Sequence, residues 1–241
     1  MKALDKMASM NKEVWEAAVL RGEGNAKPCL DLDAQLVEQY SRGEVDPAPN
    51  DLLRVFPPSV LQDVTGKDVL CLACGGGQQS PLFGLLGARV TVLDLAEGQL
   101  EGDRKAAKHY GYEVTTVQGD MRDLSCFAED SFDVVCQAAA SSWIPQIRQV
   151  YEQVARVLRP GGLYRVDFAN HVTEFSDHPD AQNGKVPLSV KSMVYHHEGR
   201  PDDIQFRHDL SDVFNGLLDS GFALQRVFDR GHWFVVLARR Q

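Results

Sequence analysis

The sequence lacks any apolar run long enough to span a membrane, which takes about 20 consecutive apolar residues. Its first residues, from Met1 to Lys6, also lack the apolar stretch of a secretory signal peptide. We therefore expect a cytoplasmic protein that does not insert into a membrane.

Cysteine is scarce, and its number is odd, since the chain has five. An odd count does not suit a disulfide framework. Cys71 and Cys74 form a C-x-x-C pair, but they lie in and just after a predicted buried strand, and no second pair accompanies them. We expect these two thiols to pack rather than to carry redox or metal chemistry. The histidines show no H-x-x-x-H spacing, and we predict no metal site.

Basic residues are outnumbered, because 25 Lys and Arg against 34 Asp and Glu give a net charge of −9. They are scattered and form no stripe with interleaved aromatic residues, the pattern that nucleic-acid binding relies on. We therefore expect no nucleic-acid partner. The hydrophobic share of 44% is ordinary for a globular protein, and the length allows one domain with additions. Composition does not indicate an oligomeric state.

What the chain does have is an apolar run, Val69 to Leu72, that stops just before three glycines, Gly75 to Gly77. A run that is apolar on both faces is typical of a strand buried in a parallel sheet. Glycines after such a strand let the backbone turn tightly and approach a ligand. The next apolar run ends at Asp94, whose carboxylate can accept hydrogen bonds from both ribose hydroxyls. This combination indicates a nucleoside-containing cofactor in a βαβ unit.

From Lys67 onward the pattern alternates between strands and helices, which predicts an α/β fold with a parallel sheet and helices on both faces. A fifth strand, Leu163 to Phe168, follows a predicted turn at residues 159–162. Two closing strands, Phe222 to Phe228 and Trp233 to Arg239, are joined by so short a turn that they must pair antiparallel.

The chain divides into a helical extension over residues 1–66 and a main domain over 67–241. The first part shows amphipathic helix patterns and no strand pattern. The main domain carries a polar stretch, about 171–208, that is too long for a plain connection, and we expect it to form a cap.

From about Lys67 to Gln241, the sequence resembles the small-molecule branch of the class I S-adenosylmethionine-dependent methyltransferases. The resemblance rests on the glycine loop, on Asp94, on Asp120-Met121 and on the segment Val157-Leu158-Arg159-Pro160-Gly161-Gly162-Leu163. It implies a Rossmann-like, doubly wound, mostly parallel sheet of seven strands with a terminal antiparallel hairpin. Two positions depart from the family: Cys71 stands where an acid is usual, and Ala73 replaces the first glycine of the loop.

The resemblance also implies S-adenosylmethionine as cofactor, S-adenosylhomocysteine as its product and a small molecule as methyl acceptor. It assigns Asp120 to the adenine amino group and Met121 to the face of the ring. Residues 137–143 follow the fourth strand, and because ligands lie beyond the carboxyl ends of strands in an open α/β sheet, they are expected to line the methionine end of the cofactor and the methyl acceptor. The predicted cofactor-binding residues are Ala73, Gly75, Gly77, Gln78, Asp94, Leu95, Asp120, Met121, Gln137, Ala138 and Trp143.

Two other functions and one catalytic role stay open at this point. An NAD(P)-dependent oxidoreductase would have a glycine where Ser80 stands and a Tyr-Lys pair at helical spacing. A non-enzymatic nucleoside-cofactor binding protein remains compatible with Cys71. If the acceptor must lose a proton, His171 and His208 are the candidate general bases, because they flank the predicted cap and histidine titrates near neutral pH. Trp15 either covers the cofactor or fastens its helix to the domain.

Overall fold

The computed structural model describes residues 5–170, 190–196 and 201–241. Its α-helices are α1 (Lys6–Arg21), α2 (Ala34–Ser41), α3 (Ser80–Leu85), α4 (Glu97–Tyr110), α5 (Ile147–Val157) and α6 (Leu210–Asp219). Its strands are β1 (Asp68–Leu72), β2 (Arg89–Asp94), β3 (Val114–Gln118), β4 (Phe132–Gln137), β5 (Leu158–Ala169), β6 (Ser192–Tyr195), β7 (Asp203–Phe206), β8 (Phe222–Asp229) and β9 (Trp233–Arg240). Within the described ranges, every helix is too short or too polar to cross a membrane.

One mixed sheet of seven strands organises the molecule, in the order β3-β2-β1-β4-β5-β9-β8. The first five strands in this order run parallel to one another, and β9 runs antiparallel to both of its neighbours, β5 and β8. The predicted Rossmann-like sheet with its terminal antiparallel hairpin is confirmed. Strands β2 and β3 lie on one side of β1, and β4, the next strand along the chain, pairs with the other side of β1. In open α/β sheets, ligands bind at such a switch point, outside the carboxyl ends of the strands.

The side chains of β1 enter two separate hydrophobic clusters. Leu70 and Leu72 belong to one cluster, which includes Val154 of α5. Val69 and Cys71 belong to the other. Because successive strand residues point to opposite faces, β1 is covered on both sides, which explains its uninterrupted apolar run. Both thiols of the C-x-x-C pair, Cys71 and Cys74, are free and lie buried in the second cluster.

Two parts of the predicted element pattern were wrong. β5 begins at Leu158 rather than at Leu163, because Leu158 already pairs with Phe132 before the pairing with β4 shifts. The turn residues 159–162 therefore interrupt a strand instead of preceding it. The polar stretch of the predicted cap contains an antiparallel hairpin, β6 and β7, which the sequence did not predict. Residues 171–189 and 197–200 of that cap lie outside the described residues.

Helix α1 has clear sequence signals at both ends. The Asp5 carboxylate accepts the Ala8 N–H at 2.9 Å, and the helix ends at Gly22 with a φ of +64°. Residues 5–66 contain helices and no strand, as predicted. The domain boundary near residue 66 stays a prediction.

Candidate functional site

A cavity of about 310 Å³ lies at the carboxyl ends of β1, β2 and β4. Its volume falls within the range of small-molecule sites, about 300–1,000 Å³. The loop after β1, the segments after β2 and β4, and helix α1 form its walls. The predicted cofactor residues that line it are Ala73, Gly75, Gln78, Asp94, Leu95, Asp120, Met121, Ala138 and Trp143.

Two predicted cofactor residues, Gly77 and Gln137, are not part of this lining. A Cβ at Gly77 would lie 2.5 Å from the carbonyl oxygen of Gly102, so this glycine allows the loop to pack on α4. Gln137 is fully buried and donates to the sulfur of Met121 at 3.5 Å, while its oxygen accepts the hydroxyl of Tyr164. In this geometry both residues support the cavity wall from behind.

Asp94 ties the end of β2 to the glycine loop. One carboxylate oxygen accepts the Gly75 N–H at 3.0 Å, and the other accepts the Ala96 N–H at 3.0 Å. Burial raises the pKa of this carboxyl group. Each carboxylate oxygen has two acceptor sites, so Asp94 retains capacity for hydroxyl groups of a ligand in the cavity.

Part of the glycine loop has left-handed backbone angles, which favour glycine. Ala73 has a φ of +50°, a left-handed conformation that glycine adopts more readily, so alanine accepts strain at the position where the family has glycine. A Cβ at Gly75 would lie 2.8 Å from the Gln99 Cβ and 3.0 Å from an oxygen of Asp94. A side chain at Gly75 would therefore disturb α4 and Asp94, and we expect it to lower stability as well as ligand binding.

Asp120 is held by an arginine two residues further on. The Arg122 guanidinium donates to both oxygens of Asp120, at 2.5 to 3.1 Å, and also reaches Asp5 at 2.8 Å. The hydrogen bond from Arg122 lowers the pKa of Asp5. Arg122 thus fixes the orientation of Asp120 and joins the start of α1 to the cavity rim. The adjacent Met121 is buried and lines the cavity.

Helix α1 covers the cavity and contributes four residues to its lining: Met7, Ala8, Asn11 and Trp15. The Trp15 ring packs edge to face on Trp143, with ring centroids 5.1 Å apart. The Asn11 amide donates to the Trp143 carbonyl at 2.7 Å. Trp15 therefore fastens the helix to the domain and also lines the cavity, and its contact with a cofactor stays a prediction.

The carboxylate of Glu16 attaches α1 to the first turn of α4. It accepts the N–H groups of Glu97 at 2.8 Å and Gly98 at 3.1 Å. A helix N-terminus has unpaired N–H groups and favours a negative charge. A Cβ at Gly98 would lie 2.7 Å from a Glu16 oxygen, so the glycine leaves room for this contact.

We expect Glu16→Ala to lower the free energy of unfolding by about 1 kcal/mol, the usual cost of losing a helix cap. For a protein of this size, that corresponds to roughly 2–4 °C in melting temperature. Glu13→Ala is the matched control, because Glu13 is an exposed glutamate of the same helix. Equal melting temperatures for the two variants, measured by circular dichroism, would refute the capping role.

Three buried amide side chains around the cavity have acceptor oxygens without a hydrogen-bond partner: those of Asn11, Gln79 and Gln99. Buried polar atoms are nearly always paired, so the clustering of unpaired ones at one cavity points to a polar ligand there. Together with the Asp94 carboxylate, they form a set of acceptors that suits the hydroxyl and amino groups of a nucleoside cofactor. No local sequence signal marks Asn11 or Gln99, because both come from elements outside the glycine loop.

Two further residues, which no sequence pattern indicated, line the side of the cavity away from β2. Trp233 begins β9 opposite Ala169, at the carboxyl end of β5, and is 41% exposed. Gln205 belongs to the β6–β7 hairpin, and its amide donates to Asp203 at 3.0 Å. Both line the cavity.

A buried ion pair supports the wall after β4. Asp167 pairs with Arg165 at 2.8 Å, and its other oxygen accepts the Ala139 N–H at 2.6 Å. Ala139 lines the cavity and has a φ of +54°. Arg165 also donates to the carbonyl groups of Phe56 and Gln137. This arrangement holds the loop after β4 in a conformation that alanine does not readily adopt alone.

The two candidate bases are not among the described residues that line the cavity. His208 is buried, and its Nε2 lies 2.8 Å from the carbonyl oxygen of Ser141, which requires that Nε2 carry a proton and donate it. The His208 ring packs edge-on against Phe168. His171 lies outside the described residues. A catalytic role for either histidine stays a prediction.

Comparison with known protein families gives a match to the methyltransferase domain family over residues 70–166. The uncharacterized methyltransferase YbaJ of Bacillus subtilis is 31% identical over 97% of this chain and 94% of its own length. The phthiotriol/phenolphthiotriol dimycocerosates methyltransferase of Mycobacterium tuberculosis is 31% identical over 62% of this chain. The chain spans 57% of that mycobacterial protein.

Solved structures share the fold at low sequence identity. Magnesium protoporphyrin IX methyltransferase from Synechocystis, crystallised with bound S-adenosylhomocysteine, superposes with a TM-score of 0.65 at 14% identity, over 98% of this chain and all of that one. An S-adenosylmethionine-dependent methyltransferase from Mesorhizobium loti gives a TM-score of 0.59 at 21% identity, over 76% of this chain and 94% of that one.

Proposed function

This chain belongs to the class I S-adenosylmethionine-dependent methyltransferases, and we propose that its cavity holds the cofactor beside a small, largely apolar methyl acceptor. The enzyme transfers a methyl group from S-adenosylmethionine to a small molecule. The observation that carries the proposed site is that Asp94, the glycine loop and three unpaired amide oxygens meet at one cavity.

The residues around the cavity divide into cofactor and acceptor sides. When bound, S-adenosylmethionine supplies a methyl group on a positively charged sulfur, which a nucleophile displaces directly. Asp94 would accept the ribose hydroxyls, and Asp120, oriented by Arg122, would accept the adenine amino group. Met121 would pack on the ring, since a thioether against an aromatic face is favourable. The loop Ala73–Gly75 and Ala138 would enclose the methionine end.

On the acceptor side, the cavity offers aromatic and aliphatic surface with one amide. Trp143, predicted as a cofactor residue, would face the acceptor as well, and it provides a large apolar face together with Trp233. Ile144 adds an aliphatic face, and Gln205 would supply a hydrogen bond. Such a lining suits an apolar molecule with a ring or chain and one polar group. The names of the mycobacterial relative and of the Synechocystis structure, which refer to phthiotriol and protoporphyrin, are consistent with this class of acceptor.

The protein's contribution to the reaction is mainly positioning. No histidine, lysine or tyrosine is among the described residues of the cavity wall. Alignment of two bound reactants can by itself supply most of a rate enhancement. Helix α1, fastened by Glu16 and by Trp15 on Trp143, would exclude water from the site. A base at His171 or His208 remains a separate proposal.

Some features of the protein's setting are proposals too. A cytoplasmic location is consistent with five free cysteines, which suit a reducing compartment. The net charge of −9 is consistent with a protein that does not bind nucleic acid. Because the chain belongs to the methyltransferase family, the glycine loop is interpreted as part of a methyltransferase site, and no longer as that of an oxidoreductase or of a non-enzymatic binding protein.

The proposed function is tested by transfer of radioactive methyl groups from S-adenosylmethionine to a panel of small molecules, sorted by apolar character and by nucleophilic atom. We expect stoichiometric formation of S-adenosylhomocysteine with an apolar ring-bearing or chain-bearing acceptor. Turnover confined to highly polar or charged acceptors would overturn the assignment of the acceptor side.

We expect Gln205→Ala and Trp233→Ala to raise the KM for the acceptor about tenfold, as the loss of a hydrogen bond or of aromatic packing does. The affinity for S-adenosylhomocysteine should change less than twofold, because both residues lie on the acceptor side. Gln225→Ala is the matched control, because Gln225 is an exposed glutamine of β8 that does not line the cavity. A lower affinity for S-adenosylhomocysteine with an unchanged KM for the acceptor would show that the two sides are assigned wrongly.

A further inference from the structure

Asp103 is a buried acid in α4 that does not line the cavity yet contacts its wall. Its side chain is fully inaccessible to solvent. One carboxyl oxygen accepts the Gly76 N–H at 3.0 Å, and the other accepts the Ser80 hydroxyl at 2.5 Å. Both partners belong to the glycine loop or to the first turn of the helix after it, so a single carboxyl group spans the loop from below.

The loop and α4 also meet backbone to backbone at this place. A Cβ at Gly102 would lie 2.8 Å from the carbonyl carbon of Gly76, and a Cβ at Gly77 would lie 2.5 Å from the Gly102 oxygen. The sequence therefore uses glycine on both sides of the contact. With no side chains between them, the loop is held to the helix by polar contacts: the Gly76 N–H donates to the Gln99 carbonyl at 3.0 Å and also to the carboxyl group of Asp103, which is the side-chain partner.

The surroundings of Asp103 let its charge vary near neutral pH. Burial raises the pKa of Asp103 to about 7, a hydrogen bond from Ser80 opposes the rise, and the nearby carboxyl of Asp94 adds to it. Tyr112 lies 3.1 Å from the Ser80 hydroxyl, and Cys71 of β1 is the other titratable group that senses this carboxyl. These groups come from α3, β2, β1 and the segment between α4 and β3.

We propose that Asp103 is a positioning residue of the cofactor site, which sets the affinity for cofactor by holding Gly76 and Ser80 and thereby the shape of the glycine loop. This inference rests on the proposed function, since it requires that the loop contact the cofactor. Asp103 acts through the loop and touches neither reactant. Because an ionised carboxylate accepts stronger hydrogen bonds than a neutral one, the loop should be held best when Asp103 is charged.

Calorimetric titration with S-adenosylhomocysteine tests the proposal in four proteins. Asp103→Ala removes both hydrogen bonds and is expected to weaken binding about tenfold or more, while Asp103→Asn keeps an acceptor for Gly76 and should bind within about threefold of the unmodified protein. Ala107→Gly is the control, because it destabilises the same buried helix face without touching the loop. Should Asp103→Ala not fold, Ser80→Ala replaces it, with an expected loss of about threefold.

The dependence of affinity on pH separates positioning from a merely structural role. From about pH 6 to pH 8, the unmodified protein should gain about threefold in affinity as Asp103 ionises, and Asp103→Asn should show no such gain. Unaltered affinity in Asp103→Ala, or the same pH profile in Asp103→Asn, would overturn the proposal. Failure of the unmodified protein to bind S-adenosylhomocysteine would overturn the proposed function as well, so the two failures are distinguishable.

Discussion

Asp94→Ala is expected to weaken the binding of S-adenosylhomocysteine at least 100-fold. The proposed role of Asp94 is to accept two ribose hydroxyls, and hydrogen bonds to a charged group contribute about 1.5–3 kcal/mol each. Two of them amount to about 3 kcal/mol or more, and each 1.4 kcal/mol corresponds to tenfold in affinity. The variant also loses the acceptors of the Gly75 and Ala96 N–H groups, which loosens the loop further. Isothermal titration calorimetry measures the effect.

Asp133→Ala is the matched control for this experiment. Asp133 is an aspartate of the same sheet, but it pairs with Arg159 and accepts the Asp68 N–H, away from the cavity. We expect it to bind S-adenosylhomocysteine as the unmodified protein does. Equal affinities for the Asp94 and Asp133 variants would remove Asp94 from the ribose site.

Asp167→Ala is expected to lower the free energy of unfolding by about 3–5 kcal/mol, the usual cost of leaving a buried charge without its partner. Arg165 is 2% exposed and pairs with Asp167 at 2.8 Å, so its guanidinium would stay buried with only carbonyl groups to contact. Chemical denaturation followed by tryptophan fluorescence measures the loss.

The double variant Arg165→Met, Asp167→Ala distinguishes a lost ion pair from a lost loop contact. Replacing a buried pair by apolar residues is often close to neutral, so we expect the double variant to recover most of the stability. If instead the N–H of Ala139 is the main partner, the double variant will remain as unstable as the single one. Full stability in Asp167→Ala alone would contradict the account of this wall.

The central part of the fold and site was predictable because its signals are local. The apolar run of β1, the glycines after it and Asp94 follow one another within a single βαβ unit, so their order in the sequence is their order in space. The antiparallel closing hairpin was predictable for the same reason, since the short turn before Trp233 allows only one geometry.

Other parts depend on contacts between distant segments. Asn11 reaches Trp143, and Glu16 reaches the first turn of α4, across more than eighty residues of chain. Gln137 was assigned to the cofactor because it ends β4, yet its side chain turns toward Tyr164, while the next residue, Ala138, lines the cavity. Alternation along a strand places neighbours on opposite faces, and the sequence did not reveal which of the two faces the cavity.

The measurement that tests the account most directly is a calorimetric titration of the unmodified protein with S-adenosylhomocysteine and, separately, with NAD. We expect saturable binding of S-adenosylhomocysteine at one site per chain and no detectable binding of NAD. Binding of NAD with none of S-adenosylhomocysteine would contradict the assignment of the cavity to the methyl donor.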